Sequence, residues 1–418
     1  MTHFIAKQIK LQSGERISVL CRPGGLPVHE ATLFLDTFRT RGLAANTIHY
    51  VCAALAIAHR ELDAAKVNLL ERFQQARFLT RPELTRLGDA VRYRAQDIDD
   101  EPVEAANVIS LRSVYPKRPA PASERAQVDL KTQASRLRYI ADYLEFLSDY
   151  VRATLPKAQA NELGVEADRR LKAFRAEIPA VSNRAKVGAR VGLSEEEQTR
   201  LIEAVHPDSP SNPWKAGFVR RRNWLMVVVF LATGMRQGEL LGLRIGDLGE
   251  KESKLAVLRR PDKKDDDRSR EPNTKTRDRV LELAPSIIRV LLQHINVDRY
   301  AIKAARKYPQ IFVADDGMPL SSSSVTKMFQ ELRKVVPDLP VALTSHVMRH
   351  TWNERFSEQA DALGMSPEEE QKARNEQQGW ADNSRTAETY TRRHTAKKGR
   401  ELSLRMQERL DEKLKKGE

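Results

Sequence analysis

The longest apolar run of the chain, Trp224 to Ala232, sets the first limit on its fold. It is far too short to cross a bilayer, which takes about 20 apolar residues. A run of this kind reads as a buried helix, so a domain has to be built around it. A Thr233-Gly234 break follows, and then Met235-Arg236-Gln237-Gly238-Glu239-Leu240-Leu241. Leu240, Leu243 and Leu248 anchor the next stretch. An arginine held between two buried segments is rigid, and rigidity is what a transition-state contact requires. Glu239, three residues on, can hold the Arg236 guanidinium in place. Taken alone, the pair reads more readily as a surface arginine in a first helical turn, ion-paired to its neighbour.

Length and charge narrow the rest. The 418 residues suffice for two or three domains. Seventy-one basic residues against 57 acidic leave a formal net charge of +14. That excess favours a polyanionic partner, nucleic acid first, over a soluble protein with a mere basic bias. Cys21 and Cys52 are the two cysteines, too few for a disulfide framework or zinc spacing, which points to a reducing compartment. The segment from Met1 lacks a signal-peptide core. The expected location is therefore cytoplasmic, at the nucleoid, with no membrane partner.

Weak alternation over residues 4–21, around Ser13-Gly14-Glu15, predicts a small β-hairpin within an N-terminal arm, 1–27. Residues 28–180 read as a helical domain. An apolar stripe including Leu35 and Phe38 marks its first helix and Gly42 ends it. Further helices are predicted from Thr47, over Leu69–Gln75 and over Arg81–Ala95, with Pro116–Pro121 as a basic connector. Over Asp129–Ala153, Leu130, Ala134, Leu137, Ala141 and Leu144 recur at helical spacing, leaving Lys131, Arg136 and Arg138 on the other face, where they can track a phosphate backbone. Residues 181–192 form a glycine-containing linker with spaced charges at Arg184, Lys186 and Arg190. Ser194 with Glu197 then signals a new helix and a second domain, 193–400. A strand at Lys254–Leu258, a charged loop from Arg259 to Glu271 and a return strand at Asn273–Leu283 place Lys275 at a hairpin edge, where a lysine also serves simply to protect the edge. Helices follow at Ser286–His294 and Ser321–Lys334.

The stretch from Thr344 to His394 carries the most chemistry. His346 and Arg349 stand three apart, on one side of a predicted helix. Together they suit a negatively charged oxygen, above all a phosphate, which an arginine fork holds through two oxygens. Gly379-Trp380 and Tyr390-Thr391 follow, and Tyr390 is the natural nucleophile. A lone His-x-x-Arg or a lone tyrosine is more often a capping pair or a core residue; the set carries the reading.

As a set, these residues resemble the tyrosine recombinase, or phage integrase, family over about residues 190–400. Arg236 lies in a T-G-x-R-x-x-E-L-L-x-L box ending at Asp247, Lys275 in Thr274-Lys275-Thr276, and His346 and Arg349 in H-x-x-R followed by His350-Thr351. Trp380 takes the place of the usual histidine, and Tyr390 precedes Thr391. The resemblance implies a mainly α fold with a small β-hairpin, in two domains that clamp double-stranded DNA. It implies that Arg236 and Arg349 bind the non-bridging phosphate oxygens and that Tyr390 attacks phosphorus to give a 3′-phosphotyrosine. Lys275 would protonate the leaving 5′-oxygen, and His346 would manage or orient the phenol proton. Trp380 would pack the site and donate an indole N–H, with Glu239 as support. It further implies no cofactor, neither ATP nor metal, and a homotetramer on DNA.

Two departures accompany the match. The Trp380–Tyr390 interval is one residue longer than the family pattern; that residue is harmless in a loop but would turn the hydroxyl away in a helix. Ser357–Gln378 is longer and more charged than usual, as for a surface insertion or a subunit contact. Leu402, Met406, Leu410 and Leu414 predict an amphipathic tail helix over 401–418, docked on its own domain or on a neighbour. A type IB topoisomerase and a catalytically inactive DNA-binding regulator are the competing readings.

Overall fold

A tight turn at Gly14, with φ of +97°, lets β1 (Ile5–Lys10) and β2 (Arg16–Cys21) pair antiparallel at the start of the chain. The computed structural model describes residues 3–93, 126–181, 192–215, 217–249, 251, 253–272, 276–384, 386–389 and 392–415. Expectations for Pro116–Pro121, Arg184, Lys186, Arg190, Lys275 and Tyr390 fall outside these residues. The chain is mostly helical with small antiparallel sheets and divides into two units, Met1–Arg184 and Ala185–Glu418, each with its own apolar core.

In the first unit β2 is followed by α1 (His29–Thr40), α2 (Ala45–Ala64), α3 (Leu69–Gln74), α4 (Arg81–Ala90), α5 (Leu130–Arg152) and α6 (Lys157–Ala176). Asp129 caps α5 by accepting from the Thr132 amide at 2.9 Å, and the expected stripe on α5 is buried from Ala134 to Leu144, while Leu130 in the first turn is exposed. Phe34, Leu55, Phe73, Leu137 and Phe174 meet in the core. His59 and Tyr143 form its polar contact, ring nitrogen to hydroxyl at 3.1 Å. Two expectations need correction. The fourth helix stops at Ala90, not near residue 95. Arg136 is not on an outer face: its guanidinium donates to the carbonyls of Val91 and Tyr93, at 3.0 and 2.8 Å, just past the end of α4. Those carbonyls lack helical partners, so the arginine is drawn inward to satisfy them. Lys131 and Arg138 remain exposed.

In the second unit Ser194 caps α7 (Glu195–Val205) in a capping box with Glu197. The apolar run lies within α8 (Gly217–Thr233), where Leu225, Met226, Val227, Val229 and Phe230 are buried. Gly234, at φ +61°, turns the chain into α9 (Gln237–Gly242). β3 (Leu248–Gly249), β4 (Lys254–Val257) and β5 (Arg279–Glu282) form one antiparallel sheet in that order, with Leu255 opposite Leu281 and Val257 opposite Arg279. The return strand is shorter than the expected Asn273–Leu283. The charged loop before it is pinned: buried Arg268 pairs with Asp266 and donates to the carbonyls of Leu241 and Leu320, both at 3.0 Å, while Arg260 clasps Asp247.

Next come α10 (Pro285–Gln293), continuing into a π-helical turn at His294–Arg299, and α11 (Ser322–Val335), capped by Ser321. α12 (Ser345–Ala362), α13 (Pro367–Gln378) and α14 (Arg392–Lys415) complete the unit. α13 packs on its own unit along one side. Its Arg374, 1% exposed, donates to the Asn353 carbonyl and the Ser357 hydroxyl at 2.7 Å each and pairs with Glu370. α14 starts earlier than the expected tail. Its first turns are tied to α12, where Asp361 meets His394 at 2.7 Å and Lys398 at 2.9 Å. Leu402 and Met406 are exposed. Among the described residues no helix is long and apolar enough to cross a membrane.

Candidate active site

Glu239, 1% exposed, is the centre of the site. It lies in the first turn of α9, and its Oε2 accepts from the Arg236 amide at 2.8 Å, closing the helix N-terminus. From β5, Arg279 lays its guanidinium along the same carboxylate, 2.8 Å to Oε2 and 3.3 Å to Oε1. The Thr276 hydroxyl donates to Oε1 at 2.5 Å. Burial by itself would raise the Glu239 carboxyl. The hydrogen bonds and charge of Arg279, the Thr276 hydroxyl and the Arg349 charge outweigh it and hold the group at about 2, a carboxylate at any physiological pH.

Arg236 meets this carboxylate differently. Its Nη1 is 3.5 Å from Oε1, an ion pair but not a hydrogen bond. That nitrogen is buried and has no hydrogen-bond partner among the described residues. Leaving a charged donor unsatisfied inside a protein costs free energy, so such a group calls for an explanation.

Arg349 comes to the same place from α12. It is 1% exposed, and its Nη1 donates to the Gly234 carbonyl at 2.7 Å, two residues from Arg236. The Ser345 hydroxyl donates to the Gln237 side chain at 3.1 Å, so α9 and α12 are joined at their first turns. Gly234 is needed twice: its φ is positive, and a Cβ there would sit 2.7 Å from the Trp352 ring. His346, three residues before Arg349, is exposed; the shared helical side survives, but the depths differ.

Trp380 is 6% exposed, and the Arg349 guanidinium lies over its ring at 5.0 Å. Gly379, left-handed at φ +63°, ends α13 and delivers the indole there. The Gly379 carbonyl accepts from the Arg277 amide at 2.9 Å, and Arg279 Nε donates to the Gln377 carbonyl at 2.8 Å, tying this corner to β5. Gln378 donates to the Thr233 carbonyl at 3.1 Å. Beyond Trp380, Asn375 and Gln371 hold the carbonyls of Asp382 and Ser384, and a 3-10 turn covers Thr386–Thr389.

Arg236, Glu239, Arg349 and Trp380 are thus brought together, with His346 at the rim of α12, while Lys275 and Tyr390 flank described segments by sequence alone. Arg279 and Thr276 are functional candidates that the sequence reading passed over. The one signal for Arg279 was alternation: it shares the buried side of β5 with Leu281, an odd place for a charge unless it has a partner. Among the described residues no cluster of three or more His, Cys, Asp or Glu could hold a metal.

Residues 193–397, just under half of the chain, match the model of the phage integrase family. Similar solved structures include the XerH site-specific recombinase bound to a palindromic difH substrate, a post-cleavage complex. It is 17% identical, with 91% of this chain and 95% of that one covered and a TM-score of 0.46. XerA recombinase is 21% identical, covering 63% and 79%, with a TM-score of 0.36. The Tn1549 transposon integrase in complex with a circular intermediate DNA is 19% identical, covering 63% and 79%, with a TM-score of 0.38. No curated protein matches the chain.

Proposed function

We propose that this chain is a site-specific tyrosine recombinase that cuts double-stranded DNA and rejoins it through a 3′-phosphotyrosine. The observation that carries the reading is the buried Arg236 Nη1, a charged donor with no hydrogen-bond partner among the described residues, beside Arg349 in a phage integrase domain. A phosphate oxygen supplies the missing acceptor.

In the proposed reaction Arg236 and Arg349 hold the non-bridging oxygens and stabilise charge as the pentavalent transition state forms. The Tyr390 phenol oxygen bonds to phosphorus and the bond to the 5′-oxygen breaks. Phenols ionise near pH 10, so His346 orients the hydroxyl or takes its proton. Lys275 gives a proton to the departing 5′-oxygen. Trp380 backs the Arg349 guanidinium. The covalent phosphoester keeps its energy, and a 5′-hydroxyl of a second strand reverses the step, so neither ATP nor metal enters. Exchange between two duplexes needs four cuts, hence a homotetramer on DNA. Net positive charge, with Lys131 of α5 and the run Arg184, Lys186 and Arg190, supports backbone contact.

The test uses nicked duplexes tiling the DNA that flanks the gene, since such a nick traps a cleaved strand. Wild type should give a covalent protein–DNA adduct and Tyr390→Phe none. Specific binding with no adduct from wild type would instead make the protein a regulator, and supercoil relaxation without exchange a topoisomerase.

A further inference from the structure

An ionised carboxylate offers about four acceptor positions over its two oxygens. At Glu239 four donors fill them: the Arg236 amide, the Thr276 hydroxyl, and Nη1 and Nη2 of Arg279. The Arg236 guanidinium, nearest in sequence, is left outside this shell at 3.5 Å. Were Arg279 absent, two positions would open next to a half-buried guanidinium whose Nη1 is buried and unsatisfied. Arg236 would close on them, forming the fork that Arg279 now makes, and its Nη1 would no longer face a phosphate. Arg279 is well placed to prevent this. It is itself 6% exposed, and its Nε is anchored on the Gln377 carbonyl.

We propose that Arg279 is a positioning residue for DNA cleavage: by saturating Glu239 it keeps the Arg236 guanidinium available to the scissile phosphate. The role rests on the recombinase reading above. It differs from mere support, because it makes Glu239 harmful once Arg279 is gone. A buried carboxylate without its partner captures the arginine that the reaction needs.

The experiment measures single-turnover adduct formation at saturating nicked duplex, with DNA affinity recorded separately, for wild type, Arg279→Met, Glu239→Gln and the double variant. Removing one oxyanion contact typically slows such chemistry about 100- to 1,000-fold. Arg279→Met should lose about that much in rate while its DNA affinity stays within about threefold, since phosphate contacts elsewhere dominate binding. The double variant should regain at least about tenfold over Arg279→Met, because the amide that replaces the Glu239 carboxylate has no charge with which to hold Arg236. A normal rate in Arg279→Met, or a double variant no faster than it, overturns the proposal. If Arg279→Met does not fold, Arg279→Lys is read by the same criteria with and without Glu239→Gln, since one ammonium cannot fill both oxygens. A methylphosphonate at the cut site, which has lost one charged oxygen, should shrink the deficit; an undiminished deficit would mark a structural role. No adduct from wild type would strike the recombinase reading itself, whatever the variants do.

Discussion

A single carboxylate decides how two arginines are used. Glu239 is buried among Arg279, Thr276 and the Arg236 amide, and breaking such an array leaves uncompensated charge. Glu239→Ala should therefore destabilise the second unit by about 3–5 kcal/mol, read as a fall in its unfolding midpoint. The acid dependence has a definite sign. The folded carboxyl titrates at about 2, below its ordinary 4.5. The stability it contributes is complete above about pH 4.5 and is lost as pH falls through 2, about 3 kcal/mol in all. Glu239→Gln should flatten that slope in urea unfolding measured from pH 5 to 2; an unchanged slope would mean the carboxyl is not held as described.

At the scale of elements, the corner between β5 and α13 matters most. Gly379 closes α13 in the left-handed region, and an added Cβ would lie 2.8 Å from the Arg277 carbonyl and about as near the Arg279 guanidinium. Gly379→Ala combines backbone strain of about 1–3 kcal/mol with displacement of Trp380 from beneath Arg349. Adduct formation should drop at least about tenfold while the far-ultraviolet circular dichroism is kept. Wild-type rates in that variant would show that the corner tolerates movement. α13 matters for another reason: it is rich in charge, yet Arg374, Asn375 and Gln378 are buried and bonded to backbone and side chains of the same unit.

For the whole molecule, two cores imply two responses to acid. In the first unit burial holds His59 near 4, below its ordinary 6.5, so the ring is neutral when folded. Stability from the neutral ring is complete above about pH 6.5 and is lost as pH falls through 4, by about 3 kcal/mol. The corresponding loss at Glu239 begins only near pH 4.5. On acidification the first unit should therefore weaken before the second. Hydrogen exchange at pH 5, followed peptide by peptide, should show faster opening in α2 and α5 than in α8 and α12, relative to pH 7. His59→Gln should remove that difference.

What the sequence determined alone was everything that depends on spacing along one chain. The apolar run became α8, the Ser194 and Glu197 pair became a capping box, and the alternation at residues 4–21 became a hairpin. Helical periodicity and capping act over a few residues, so the order of residues contains them. The spacing of Arg236 and Glu239 likewise nominated a supported arginine, but not the way it is supported. That Arg279 from a strand 40 residues away takes the carboxylate, that Arg136 turns inward to two carbonyls, and that Arg374 is buried in α13 were decided in three dimensions. A charged side chain reads as solvated until its partner is known, and the partner is chosen by which segments the cores bring within about 3 Å, hydrogen-bond reach. Only the folded chain could show that the nearest carboxylate to Arg236 was already taken.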